Sequence, residues 1–308
     1  MSSAPSHAAA PGLPPLRTML KSKDVEDPVN LYVHRTLAYL FVLLTFRTPL
    51  TPNGITFLSL GVGIGAGLVW WLDGPLVLGA VMLWTSAILD GADGMMARAK
   101  SMFSASGRAL DGSADLIVAA ITVSGAVYRV RDMFSAAELA ILAAIGAVTA
   151  VLHFNLYDYY KDLYLRAVRG GKGEATLEAE LEAVAESLKG SAWYLRAAVI
   201  HGLIPYTRRQ AQIVRRSNPQ SLLEREALTN RGSEQLNASY RSAHRGPMRL
   251  WPWISLAPHT YLLCLAAIFG RIDLFIWYRI VVANALFVVL LLWERRATRQ
   301  VLTHLPHV

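Results

Sequence analysis

Long apolar runs without charge are the feature that most restricts the fold of this chain. Residues 54–72 carry no charged side chain over 19 positions, and the run ends close to Trp70 and Trp71. Runs of this length are typical of helices that cross a bilayer, and tryptophan is enriched where such helices reach water. Runs of similar length that are apolar apart from a single charged residue at most occupy residues 136–157, 250–270 and 274–293. The sequence therefore predicts an all-α, polytopic membrane protein.

Two further apolar runs are too short to cross a bilayer alone. Residues 76–89 cover 14 positions, and residues 116–127 cover 12. A spanning helix needs about 20 residues, so each run must continue into the acidic stretch that lies between them. This gives six transmembrane helices. It also puts the acidic side chains at or just inside the membrane boundary, where they face protein or water instead of lipid.

The other segments complete the predicted organisation. Residues 27–47 mix apolar and basic side chains around an apolar core of only 11 residues, 36–46, which indicates an interfacial helix, with a short spanning helix as the alternative. Residues 174–189 are predicted to form a solvated helix, and residues 192–204 an interfacial or docking helix. The predicted parts are a disordered tail at 1–26, the interfacial helix and spans one to four at 27–157, a helical cytoplasmic insertion at 158–249, spans five and six at 250–294, and a cytoplasmic C-terminal tail at 295–308.

The distribution of basic residues predicts the orientation. The formal net charge is +8, from 30 Lys and Arg against 22 Asp and Glu. The predicted outer turns hold only Arg129, Arg131 and Arg271, while Arg279 lies in the sixth span. The other 26 lysines and arginines lie on the same side of the membrane as both termini. The positive-inside rule assigns that side to the cytoplasm. This asymmetry accounts for the basic surplus, so no nucleic-acid partner is expected. The single cysteine, Cys264, excludes an intramolecular disulfide.

Four aspartates in the acidic stretch are spaced so that they converge. Asp90 and Asp93 are three residues apart. Asp111 and Asp115 are four residues apart. Each pair therefore lies on one helix face, and the two pairs are symmetric about the turn of the helical hairpin. The competing interpretation is that they are unrelated caps and loop residues at a cytoplasmic turn, which the matched register disfavours.

The surroundings of the four aspartates indicate what they bind. Several ionised carboxylates at one place repel each other unless a cation joins them. Oxygen ligands favour Mg²⁺ or Mn²⁺, with Ca²⁺ left open. Arg98 follows one turn after the first pair and suits a phosphate oxygen. Small residues leave room for a flat or bulky group against the backbone: Gly91, Gly94, Ala97, Gly107 and Gly112.

The stretch 90–115 resembles the motif of the CDP-alcohol phosphotransferase family. It reads D-x2-D-G-x2-A-R-x8-G-x3-D-x3-D, and the six-span layout with this motif on spans two and three also fits the family. The fixed positions are Asp90, Asp93, Gly94, Ala97, Arg98, Gly107, Asp111 and Asp115. TPNGIT at 51–56 is similar to the start of the first span in many members. EDPVNLYVHR at 26–35 is similar to the preceding stretch in the inositol-phosphate and choline/ethanolamine branches.

The resemblance implies a reaction and roles for the aspartates. An alcohol hydroxyl attacks the β-phosphorus of a CDP-linked alcohol, and CMP leaves; one of the two reactants is a lipid. The implied metal ligands are Asp90, Asp93 and Asp111, with Asp115 shared or nearby. Asp115 is also the implied base that takes the proton of the acceptor. The resemblance further implies a homodimer and leaves both donor polarities open.

Further residues are expected around the nucleotide. The resemblance implies that Gly94 and Ala97 line the cytidine site and that Arg98 holds phosphate. The same nucleotide site is expected to include Asn53, Thr56, Gly107 and Arg108. For Arg108 and Lys100 the expectation rests on charge alone and not on the motif. Two other functions remain open: a cation transporter that uses the aspartates as an ion site, and a catalytically inactive scaffold.

Overall fold

The computed structural model describes residues 13–19, 23–102, 104–169, 188, 191–231 and 233–303. All regular elements in these ranges are helical, which agrees with the all-α prediction. Most of the predicted tail and most of the predicted helix at 174–189 lie outside the described residues. The α-helices are α1 (Leu16–Met19), α2 (Arg35–Thr45), α3 (Pro52–Trp71), α4 (Leu76–Ala99), α5 (Ala105–Arg129), α6 (Ala136–Arg169), α7 (Trp193–Ala197), α8 (Ile204–Ser217), α9 (Gln220–Arg231), α10 (Glu234–Leu250), α11 (Leu256–Ile268), α12 (Ile272–Trp277) and α13 (Ala283–Thr303).

Five helical stretches among the described residues are long and apolar enough to cross a membrane. They are Pro52–Trp71, Leu76–Ala99, Ser106–Arg129, Ala136–Val168 and Ile272–Thr303. The last of these joins α12 to α13 through a π-helical turn, Tyr278–Val282. The chain is thus an integral membrane protein, and the sequence reasoning about the two short runs was sound, because both continue into the acidic stretch as helix.

The fifth predicted span, 250–270, differs from expectation. It consists of a 3-10 turn, Trp251–Ile254, and then α11, which has only 13 residues. A helix of that length rises about 20 Å, less than the hydrocarbon thickness of a bilayer. Pro252 starts the turn and Ser255 has extended backbone, so the helix cannot run on from α10. Six spans therefore remain a prediction.

The predicted boundary at residue 157 does not end a helix. The fourth spanning helix, α6, continues for 34 residues to Arg169, because no proline or glycine interrupts it after the apolar part ends. Its C-terminal half is buried against the insertion through tyrosines such as Tyr160 and Tyr164. The membrane helix and the insertion consequently share one hydrophobic core.

Glycine allows α3 and α5 to approach each other closely. A Cβ on Gly67 would lie 2.8 Å from the carbonyl oxygen of Ile121, and a Cβ on Gly125 would lie 2.9 Å from that of Gly67. Side chains at these positions would force the helices apart. The α3–α5 contact, together with the α3–α4 contact, holds the hairpin that carries the four aspartates.

The N-terminal helix packs beside this hairpin. A π-helical turn, Asn30–His34, leads into α2, whose Ala38 and Val42 are buried while Leu40 and Leu44 are exposed. One apolar face is therefore left open on a helix of 11 residues. This amphipathic pattern fits the predicted interfacial helix, whose position at the membrane surface stays a prediction.

The insertion is held to the last span by a buried polar network. His244 on α10 contacts Glu294 on α13 through Nδ1 at 2.5 Å and Glu224 on α9 through Nε2 at 2.9 Å. The indole of Trp251 donates to the second Glu294 oxygen at 2.9 Å, and Tyr240 stacks on the imidazole. These groups are fully enclosed. Burial alone would lower the pKa of His244, but the two carboxylates raise it to about 10.

Candidate metal centre and nucleotide site

Three of the four aspartates meet at one point. Asp90 and Asp93 are in the last turns of α4, and Asp111 is in the second turn of α5. Each offers a carboxylate oxygen, and the three oxygens lie within 4.8 Å of one another. The spacing predicted from the sequence is therefore realised: two helix faces present their carboxylates to the same space.

Asp115 lies next to this group, one turn further along α5. Its side chain is within hydrogen-bonding reach of Asp90, and so is the side chain of Asp111. The four residues Asp90, Asp93, Asp111 and Asp115 are called the carboxylate cluster below. Within the cluster, Asp115 is outside the set of three whose oxygens converge. The carboxylate of Asp115 is therefore distinct from the other three, whose oxygens converge on one point.

The donor set fits a hard divalent cation. Among the described residues, Oδ1 of Asp111 is a buried oxygen with no hydrogen-bond partner. A buried unpaired carboxylate oxygen is costly, and a cation shared with Asp90 and Asp93 would remove that cost. Carboxylate oxygens are the ligands that Mg²⁺ and Mn²⁺ prefer. These residues therefore fit the metal that the sequence implies.

Thr56 fixes the orientation of Asp93. Asp93 is buried, and its Oδ2 accepts a hydrogen bond of 2.5 Å from Thr56 Oγ1. The same hydroxyl lies 3.2 Å from the carbonyl oxygen of Pro52, one turn earlier in α3. Thr56, which the sequence assigned to the nucleotide, thus orients a carboxylate of the cluster.

Asn53, at the start of α3, lies close to Gly107, at the start of α5. A Cβ on Gly107 would lie 3.7 Å from Asn53 Oδ1. It would also lie 3.0 Å from Ser104 Oγ, the hydroxyl that caps α5 by accepting from the Gly107 amide. A side chain at Gly107 would therefore fill the space between the hydroxyl of Ser104 and the amide of Asn53.

Arg98 folds back along its own helix toward Gly94. Its Nη1 would be 3.6 Å from a Cβ on Gly94, and Arg98 is exposed at the C-terminal end of α4. Ala97 is buried in the turn between them, and Arg108 is exposed on the opposite helix. The motif therefore combines small residues at positions 94, 97 and 107 with one exposed arginine near the end of each motif helix.

Lys100 has a different role from the one that its charge indicated. Its Nζ donates to the carbonyl oxygens of Thr48 and Leu50, each at 2.9 Å. Both acceptors belong to the loop before α3, and a backbone oxygen is the natural partner of an ammonium at the end of a helix. Lys100 thus ties this loop to the hairpin, and a phosphate-binding role for it is not supported.

Two groups of residues near the cluster were not assigned a role from the sequence. Arg35 on α2 is held by Glu26 at 2.8 Å, and its Nη1 would be 3.8 Å from a Cβ on Gly91. On the other side, Tyr206 donates at 2.6 Å to Asp158, whose charge acts on Asp115. The two pairs are formed by residues outside the motif.

The sequence held a signal for only one of these groups. Glu26 and Arg35 stand at the two ends of the stretch 26–35, which is similar to its counterpart in family members. Tyr206 is 48 residues from its partner Asp158, and no spacing rule connects positions so far apart.

Two comparisons with known proteins match this part of the chain. A family model described as CDP-alcohol phosphatidyltransferase matches residues 49–199, a range that includes the whole carboxylate cluster. A bifunctional IPC transferase and DIPP synthase of Rubrobacter xylanophilus is 31% identical over 101 residues. That alignment covers 32% of this chain and 23% of the relative, so the chain spans about a quarter of the length of the protein it matches.

Proposed function

Since the chain belongs, through residues 49–199, to the CDP-alcohol phosphatidyltransferase family, we propose that it is a membrane-embedded transferase. It moves a substituted phosphate from a CDP-linked alcohol to an acceptor hydroxyl and releases CMP. The observation that carries the proposal is the convergence of Asp90, Asp93 and Asp111 within 4.8 Å, with a buried, unpaired oxygen on Asp111.

The metal ligands are Asp90, Asp93 and Asp111, with Asp115 beside them. A bound Mg²⁺ or Mn²⁺ supplies neutralisation of the diphosphate charge and so makes CMP a better leaving group. Thr56 holds Asp93 in one orientation, which limits the reorganisation that binding requires. Phosphoryl transfer depends more on such positioning and neutralisation than on covalent help from the protein.

Asp115 is the base. The acceptor oxygen forms a bond to the β-phosphorus while the bond from that phosphorus to the bridging oxygen breaks. The bridging oxygen leaves with CMP, and the proton of the acceptor moves to a carboxylate oxygen of Asp115. Asp115 suits this task because it lies beside the three converging ligands without being one of them.

The nucleotide binds in the space between the two motif helices, α4 and α5, which is called the groove here. Gly94, Ala97 and Gly107 provide a surface without bulky side chains, on which the cytosine ring can lie. Asn53 offers an amide at the far edge of the groove. Arg98 and Arg108 contribute positive charge at the rims, where the phosphates of the donor pass.

The membrane context supports a lipid as one of the two reactants. The cluster lies at the ends of spanning helices, where a soluble nucleotide and a lipid can meet. We propose that this is the cytoplasmic face, that both termini are cytoplasmic, and that the enzyme acts as a homodimer in phospholipid or polar-lipid synthesis. Both donor polarities are compatible with this geometry: CDP-diacylglycerol with a soluble alcohol, or a soluble CDP-headgroup with a lipid alcohol.

A substrate panel tests the proposal. The purified chain in lipid nanodiscs is given CDP-diacylglycerol with glycerol phosphate, inositol phosphate or serine. In a second arm it is given CDP-choline or CDP-ethanolamine with diacylglycerol. CMP release and product lipid mass are measured with Mg²⁺, with Mn²⁺ and with chelator.

The same measurements are made on Asp90→Asn, which removes a proposed metal ligand. Asp132→Asn, in the turn after α5, serves as its matched control. We expect metal-dependent CMP release in one arm only. Cation flux without CMP release in any arm would instead support a transporter.

A further inference from the structure

A short helical segment of the insertion lies directly against the motif helix α5. It comprises α7 and the π-helical turn Ala198–Leu203, and residues 193–203 are called the docking segment here. Its Ala198 and Val199 are buried in one cluster with Ala109 and Leu110 of α5. A Cβ on Gly202 would lie only 2.6 Å from Ser113 Oγ. The segment is thus packed tightly on the helix that carries Asp111 and Asp115.

Both ends of the docking segment touch spanning helices beyond their first turn. Ser113 is eight residues into α5, which corresponds to a rise of about 12 Å. At the other end, the ring of Tyr194 packs edge-to-face on Phe57, with ring centroids 5.4 Å apart. Phe57 is five residues into α3, a rise of about 8 Å. Along the axes of α3 and α5, the segment therefore lies at the same height as the carboxylate cluster. It does not extend into solution beyond the ends of these helices.

The outward side of the docking segment is apolar and has no described neighbour that covers it. Trp193 is 79% exposed and Ile200 is 49% exposed. They are seven residues apart, so they share one face of the helix. The exposed side of the adjacent span continues this surface, since Leu116, one turn after Ser113, is 70% exposed.

Basic side chains lie on the same segment as this apolar face. Arg196 and His201 are exposed on the segment, and the guanidinium of Arg196 has no hydrogen bond or ion pair with any other residue that the structure describes. Over residues 191–250 the sequence has ten arginines, three glutamates and no lysine or aspartate. Tryptophan and arginine with exposed aliphatic side chains are the composition of helices that lie in an anionic membrane surface.

We propose that the docking segment lies in the headgroup layer of the leaflet that borders the carboxylate cluster, with anionic phospholipid as its partner. Trp193 and Ile200 enter the lipid, and Arg196 extends along the apolar surface to a lipid phosphate. A second copy of the chain is a less suitable occupant of this face, because it would bring the same positive charge. The segment then forms the lipid-facing wall beside Asp111 and Asp115. A role of that wall in guiding a lipid reactant rests on the proposed function, whereas its position in the bilayer does not.

Site-directed spin labelling tests the position without any assay of activity. In a Cys264→Ala background, a nitroxide is attached at Ile200→Cys or Trp193→Cys, and at Leu223→Cys as control, in full-length protein in vesicles that contain anionic phosphatidylglycerol. Leu223 is 58% exposed on α9, which makes it a matched exposed apolar position away from the docking segment. Collisions with oxygen report lipid exposure, and collisions with a water-soluble nickel chelate report water exposure.

We expect the labels at 193 and 200 to favour oxygen at a depth of about 5–10 Å, while the control favours nickel. Nickel access at 193 and 200 equal to the control would overturn the proposal. Low access to both reagents together with spin–spin coupling would assign the face to a second copy and would overturn it as well. In a second variant, Arg196→Glu is combined with the nitroxide at Ile200→Cys. The ratio of labels in the lipid to labels in water should fall by about fivefold. An unchanged ratio contradicts the role of Arg196.

Discussion

The hydroxyl of Thr56 donates to Oδ2 of Asp93 at 2.5 Å, although the two residues lie 37 positions apart on different spanning helices. This bond connects α3 to the face of α4 that carries the proposed metal ligands. The residues proposed to bind the nucleotide at the start of α3 and the proposed metal ligands are therefore physically connected. A change on α3 is therefore expected to act on metal binding.

Thr56→Val tests this connection. The substitution keeps the shape of the side chain and removes the hydroxyl, so Asp93 loses its orienting partner. Hydrogen bonds to charged groups contribute about 1.5–3 kcal/mol, so the Mn²⁺ concentration for half-maximal activity should rise by at least about tenfold. Thr85→Val is the matched control, because Thr85 bonds only to its own helix, at the carbonyl of Val81. An equal metal requirement in both variants contradicts the positioning role of Thr56.

Asp115→Asn separates the base from the metal ligands. We expect the variant to bind the CDP-linked donor nearly as well as the parent, since Asp90, Asp93 and Asp111 remain. Turnover should fall by about 10²–10⁴-fold, the usual contribution of a general base. Donor binding by calorimetry and CMP release are measured on the same preparation. Near-normal turnover would remove Asp115 from the base role.

Two glycines of α3 should respond oppositely to alanine. In Gly67→Ala the new Cβ meets the backbone of α5 at 2.8 Å, so the helices must separate, and overpacking of this kind costs about 1–3 kcal/mol. In Gly61→Ala the Cβ has no heavy atom within 4 Å among the described residues, and alanine should stabilise the helix by up to about 1 kcal/mol. Thermal unfolding in detergent compares them. A similar loss in both variants would argue against close α3–α5 packing.

The buried histidine predicts a pH dependence of stability. Burial lowers the pKa of His244 and the carboxylates of Glu294 and Glu224 raise it, with a net value of about 10 against an ordinary 6.5. A raised pKa gives stabilisation that is complete below about pH 6.5 and is lost as the pH rises toward 10. The parent should lose stability over this window with a limiting slope of about 1.4 kcal/mol per pH unit. His244→Gln should flatten the slope, and parallel curves for the two proteins between pH 6.5 and 9.5 would refute the assignment.

The convergence of the aspartates could be predicted from the sequence because it depends only on local geometry. Two pairs with helical spacing, placed symmetrically about a short turn, must meet if both segments are helical. The need for about 20 residues to cross a bilayer then made both segments helical. Thr56 was identified through its position in the stretch 51–56, but its hydrogen bond to Asp93 was not, since side-chain partners on separate helices follow from packing.

The differences between sequence and structure arise where tertiary contacts override composition. The polar residues after 157 indicated the end of a span, yet α6 continues because the insertion buries Tyr160 and Tyr164 along it. The apolar residues 250–270 indicated one span, but Pro252 and the extended Ser255 divide it. Hydropathy records the solvent that a residue prefers, and it does not record which helix packs on which.

A titration with Mn²⁺ tests the central claim most directly, since it asks whether Asp90, Asp93 and Asp111 hold a divalent cation. Free Mn²⁺ is followed by its paramagnetic resonance signal in the presence of the purified parent, of Asp111→Asn and of the outer-turn control Asp132→Asn. The account predicts that the parent and the control remove the free signal equally, and that Asp111→Asn binds Mn²⁺ at least about tenfold more weakly. Equal Mn²⁺ affinity in all three proteins would contradict it.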